Sequence, residues 1–119
     1  MTGVDDEEAS AGPAPEGFAL VLCTAPPDRA EELAERLLDE RLVACVNLIG
    51  PLVSRYRWNG ALERADEVLL LMKTRRDRVA ALTARIVALH PYEVPEVLEL
   101  GITGGLPAYL AWIDASCRG

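Results

Sequence analysis

Apolar residues in this chain fall into unbroken runs and helically spaced stripes, separated by turn-forming residues. Phe18 to Ala25 (FALVLCTA) is an unbroken run, halted by Pro26-Pro27. Hydrophobicity without alternation predicts a strand buried on both faces. Asp28 follows as a helix N-cap, with Glu31 three residues on to complete a capping box. Ala30, Leu33, Ala34, Leu37 and Leu38 then recur at helical spacing, while Glu31, Glu32, Glu35 and Arg36 form a solvated face. This helix reaches Arg41.

From Val43 to Thr74 the pattern turns to strand, broken once at Asn59-Gly60. That dipeptide predicts a type I′ hairpin turn, because both central positions need φ > 0. Trp58 then faces Ala61, Tyr56 faces Glu63, and Ser54 faces Ala65. The incoming arm, Val43 to Trp58, would be about 53 Å long if straight, at roughly 3.3 Å per residue. A globule of this size is much shorter across, so the tip RYRWNG projects beyond its own domain even with a bend or bulge at Gly50-Pro51.

The return strand runs from Glu63 to Arg75 and ends in VLLLMKTR, again apolar on both faces. Thr74 is placed to cap a helix from Arg75 to Leu89 with the core stripe Val79, Leu82, Ile86 and Leu89. Pro91 stops it and forces His90 towards an extended conformation. A strand from Glu96 to Ile102 follows, then Gly104-Gly105, and Pro107 opens a last short helix burying some of Leu106, Tyr109, Leu110 and Ile113.

The order β-α-β-β-α-β plus a terminal helix predicts an α+β, ferredoxin-like split βαβ fold with a long hairpin between the second and third strands. Two helices cover one face of a four-stranded sheet, yet FALVLC and VLLLM are apolar on both. Another copy of the chain is the simplest cover for the second face, with the overlong hairpin available to pair edge to edge. A homo-oligomer follows from this; its symmetry does not.

Composition changes the picture in one place. The first 17 residues hold one valine and five of the 19 acidic residues, a composition expected of a disordered acidic tail (1–17) ahead of a single domain (18–119). The remaining 14 acids face 12 bases, so the globule carries −2 rather than −7. No basic stripe points to nucleic acid, and no apolar run nears the roughly 20 residues of a membrane span. Cys23, Cys45 and Cys117 are widely spaced without a C-x-x-C, which reads as a reduced, cytoplasmic protein.

Candidate chemistry centres on HPYEVPE, where two prolines hold a histidine, a phenol and two carboxylates close together. His90, the only histidine, suits metal ligation or proton sensing, or simply structure at a helix end. Cys23 reads alone as a small buried hydrophobe, Cys45 more so, and Cys117 as incidental. A thiolate joined by an imidazole would suit Cu(I) or Zn(II) rather than Mg(II) or Ca(II). Glu63, Glu67, Glu93, Glu96 and Glu99 offer carboxylates without a spacing that demands an acid/base pair. Tyr56 and Trp58 read first as interface aromatics. No phosphate-binding glycine loop, nucleophile elbow or H-E-x-x-H occurs, so an enzyme ranks last.

LCTAP at 22–26, RLVACVN at 41–47, RYRWNG at 55–60, EVLLLMKTR at 67–75, HPYEVPE at 90–96 and YLAW at 109–112 together resemble the CutA divalent-cation tolerance proteins. The resemblance spans nearly everything from Phe18 to Cys117. It implies a homotrimer similar to the PII signalling proteins, with hairpin arms completing intersubunit sheets. It also implies a role in tolerance to copper and other divalent ions, and copper binding with Cys23 and His90 as ligands. The second histidine found in some bacterial members is replaced here by Leu89. An intersubunit ligand cleft is expected near Tyr56, Trp58, Lys73, Tyr92 and Glu93.

Two functions follow as expectations. One is a non-enzymatic, cytoplasmic homotrimer binding divalent metal. The other is a PII-like signalling module that takes a small anionic metabolite or a partner protein, with Lys73, Arg75 and Arg76 at a helix start suited to anion capture.

Overall fold

Strand β1 (Phe18–Ala25) lies at the heart of a sheet ordered β2-β3-β1-β4, in which every pairing is antiparallel. The other elements are α1 (Ala30–Asp39), β2 (Cys45–Trp58), β3 (Ala61–Arg75), α2 (Val79–Leu89), β4 (Leu98–Ile102) and α3 (Pro107–Ser116), with a 3-10 turn at Arg76–Arg78. The computed structural model describes residues 17–118. The segment read as an acidic tail lies, through Glu16, outside the described residues. This is the α+β, ferredoxin-like arrangement with an added C-terminal helix that the order of elements predicts.

The two faces of the sheet differ. Alternation puts Val21, Cys23, Leu70 and Met72 on one face, all wholly buried beneath α1 and α2 with Leu33, Leu37, Leu82 and Ile86. Leu20, Leu22, Leu69 and Leu71 point the other way and are half-buried, and Ile49, Leu98 and Leu100 beside them are exposed. Helix α3 covers only one end of that face, where Ile113 and Cys117 pack with Phe18 and Ile102. Of the four residues from which its buried set was expected, Ile113 is wholly buried, whereas Leu106, at the cap position before the first turn, is 70% exposed.

The hairpin turns at Asn59 (φ 49°) and Gly60 (φ 80°), the left-handed pair a type I′ turn requires. Trp58 pairs Ala61, Tyr56 pairs Glu63 and Ser54 pairs Ala65, and a bulge between Ile49 and Leu52 shifts the register beyond Leu52. Gly50 sits in that bulge so close to β3 that an added Cβ would stand 3.2 Å from the Glu67 carbonyl oxygen. The molecule is consequently 52 Å long and 25 × 24 Å across, and the arm accounts for the excess length.

Three element boundaries depart from expectation. The Asp28 capping box does not form; the Pro26 carbonyl instead accepts the N–H groups of Arg29 (2.9 Å) and Ala30 (3.1 Å), and Arg29 takes the cap position. Thr74 remains inside β3, its hydroxyl donating to the Leu42 carbonyl at 2.7 Å, so α2 begins only at Val79. The last strand begins at Leu98 rather than Glu96. At its other end α1 closes with Leu42 N–H on the Leu37 carbonyl and Arg41 N–H on that of Leu38, which places Arg41 at φ 58°.

Candidate functional site

The site is built where α2 stops. Pro91 holds His90 extended (φ −75°, ψ 141°), and His90 N–H closes the helix on the Ile86 carbonyl at 2.8 Å. The imidazole turns inward and is 7% exposed. Its Nδ1 accepts Tyr92 N–H at 3.0 Å, so Nε2 carries the proton and donates it to the Thr24 carbonyl at 2.7 Å. Both ring nitrogens of His90 are thus committed.

Cys23, wholly buried, donates its Sγ proton to the same Thr24 oxygen at 3.5 Å. The two side chains read as candidate metal ligands therefore converge on one carbonyl. They do not form a ready metal centre within the protomer. Burial, with the Glu96 and Glu67 carboxylates adding to it, pushes the Cys23 thiol up to about 12, so it is protonated at neutral pH. Among the described residues no three His, Cys, Asp or Glu side chains gather closely enough to hold an ion. Leu89, beside His90, is half-buried and offers no donor.

The ring of Tyr92 lies 4.6 Å from that of His90, and its hydroxyl donates to Glu67 Oε2 at 2.8 Å. Burial first, then this bond to Glu67, pushes the phenol well above its usual range. Glu67 is only 5% exposed, which makes Tyr92 the group that satisfies it. On the solvent side of this pair opens a cavity of about 670 Å³, walled by Tyr56 and Trp58 from the arm, Glu67 from β3, and Tyr92, Glu93 and Glu96 from the loop after α2. Thr24, Ser54 and Arg55, with Val94 and Pro95, complete the wall.

Four of the five residues expected at a ligand cleft, Tyr56, Trp58, Tyr92 and Glu93, are brought together here. Lys73 is not. It lies six residues further along β3 than Glu67, ~20 Å away at strand rise, and its Nζ meets the Tyr109 hydroxyl at 3.3 Å. Glu67 and Glu96, counted in the sequence only among the scattered carboxylates, also line this cavity. The signal for Glu67 was available: counting from the Asn59-Gly60 turn sets it opposite Leu52, on the face that carries Tyr56. The cations proposed for anion capture are already engaged. Arg75 pairs with Asp77 and with Asp114 at 3.3 Å, and Arg76 stands 3.7 Å from Glu99.

The sequence profile described as CutA1 divalent ion tolerance protein matches residues 19–116. A CutA homolog of Xenopus laevis is 47% identical over 91 residues, 76% of this chain and 60% of its own length. The divalent-cation tolerance protein CutA of Pectobacterium atrosepticum is 44% identical over 100 residues, 83% of this chain and 91% of its own. Among solved structures, the PII-like protein CutA of Nostoc superposes with a TM-score of 0.80 at 34% identity, covering 84% of this chain and 97% of the other. The chain thus spans 60% of the vertebrate relative's length and nearly all of the bacterial ones.

Proposed function

Since the chain belongs to the CutA1 divalent ion tolerance family, we propose that it works as a cytoplasmic, non-enzymatic homotrimer of divalent-cation tolerance, built on the PII plan. Protomers join through their half-bare sheet faces, arms reach across the seams, and the cavity beside Glu67 is where each seam reads its signal. One observation carries this. Alternation along β3 sets Glu67 on the same face as Leu69 and Leu71, so the cavity opens on the face that lacks cover. A second copy that buries the leucines also walls the cavity. The PII-like relative supports the assembly, and three free cysteines support a reducing compartment.

Copper binding by Cys23 and His90 is the narrower form of the reading. Their convergence on Thr24 favours it; the protonated thiol and the doubly bonded imidazole limit its affinity. Light scattering after size exclusion tests the assembly, with three chain masses expected and one chain mass refuting it. Titration calorimetry with copper and zinc on Cys23→Ser and His90→Ala tests the ligands. Affinity that falls in both variants supports the pair; affinity unchanged in both removes it.

A further inference from the structure

We propose that the cavity between the arm and the loop after α2 binds an organic polycation, of the alkyl diamine or polyamine class, rather than a bare metal ion or an anion. The inference rests on the seam-cavity reading above and names its ligand. Three carboxylates, Glu67, Glu93 and Glu96, face the space. Arg55 is the one basic side chain on the wall, and it stands on the opposite pleat of β2 from Ser54, Tyr56 and Trp58. An anion entering there would meet net negative charge.

The choice between metal and organic cation turns on spacing. A metal ion needs several donors within bonding reach, and among the described residues no three acidic, thiol or imidazole groups are that close. Carboxylates spread around about 670 Å³ instead suit positive charge that is itself spread along a chain. Aromatic rings give the second argument. Tyr56, Trp58 and Tyr92 supply three on one cavity, and the faces of such rings attract ammonium groups while contacting methylene stems. Within the protomer Tyr56 and Trp58 are 44% and 46% exposed, and both line this cavity. The Tyr92–Glu67 hydrogen bond holds one ring and one carboxylate in place before any ligand arrives.

The test is calorimetry on the full chain with spermidine, putrescine, butylamine, ATP and zinc as separate titrants. Saturable spermidine binding is expected, weaker for the diamine and weaker again for the monoamine. Trp58→Leu and the double variant Glu93→Gln/Glu96→Gln change exposed residues and keep the fold. Each should weaken spermidine by about tenfold, the scale of one cation–π contact with its neighbouring charge lost. Spermidine affinity unchanged in both variants would overturn the inference, since binding then reflects general acidity. So would ATP or zinc binding at the cavity more tightly than spermidine. A trimer that ignores spermidine removes the ligand and leaves the assembly standing, whereas a monomer by light scattering removes the assembly reading itself.

Discussion

The same strands present two faces with opposite fates. Val21, Cys23, Leu70 and Met72 vanish beneath two helices, while Leu20, Leu22, Leu69 and Leu71, their immediate neighbours in sequence, stay half open. Polarity does not distinguish the two sets, since both are apolar. What differs is the supply of cover. Two helices are enough for one face, and α3 reaches only the Phe18 end of the other. A leucine-rich surface left in this state is a contact surface, and the cavity opens at its margin. Chemistry divides in the same way: Cys23 belongs to the closed face and is sealed, whereas Glu67 sits on the open face with access to solvent through the cavity.

The largest expected effect breaks the closed face. Leu82→Ala removes a wholly buried side chain between α2 and the sheet and should cost about 3 kcal/mol, read from urea unfolding. Leu71→Asp is the matching change on the open face. It should leave far-UV circular dichroism unchanged but drop the light-scattering mass to that of one chain. Loss of fold in Leu71→Asp would erase the distinction between the faces.

A middle-sized effect concerns the end that α3 does cover. Asp114 is 2% exposed and ion-paired to Arg75 (3.3 Å) and Arg118 (2.6 Å). Asp114→Ala should cost about 2 kcal/mol by leaving Arg75, itself little exposed, with Asp77 alone.

Thiol chemistry sharpens the comparison further. Cys45, half-buried beside Lys73, should react with iodoacetamide in the native protein while Cys23 and Cys117 stay unmodified by mass spectrometry. The sign for pH follows from the same burial. The Cys23 thiol titrates near 9.0 in an open chain and at about 12 in the fold. Between those values the unfolded chain releases its proton first. Stability from this group is therefore complete below pH 9 and falls as pH rises towards 12. The alkaline decline in urea midpoint should be smaller in Cys23→Ala.

The smallest effect lies at the end of α1. Arg41 holds φ 58°, a conformation that suits glycine better than a residue with a Cβ. Arg41→Gly should raise stability by about 1 kcal/mol, seen as a modest rise in Tm.

Local signals were enough for everything that depends on neighbours along the chain. Asn59-Gly60 determined the turn and, through period-two counting, the register as far as Leu52. Pro26-Pro27 and Pro91 determined where elements stop, and apolar runs determined which strands are central. Motifs spread over most of the length carried the family. Tertiary structure decided what depends on where distant groups land. Thr74 reads as a helix cap by residue type, but its hydroxyl met the Leu42 carbonyl first and stayed in the strand. Lys73 reads as a cleft residue by motif, yet strand rise carries it well away from Glu67, to Tyr109. Cys23 and His90, 67 positions apart, share one carbonyl oxygen only because β1 and the end of α2 are packed together, and that packing occupies both side chains. Hydrogen bonds saturate and burial shifts protonation, so the chemistry of a residue is decided by its partners. Those partners come from the fold.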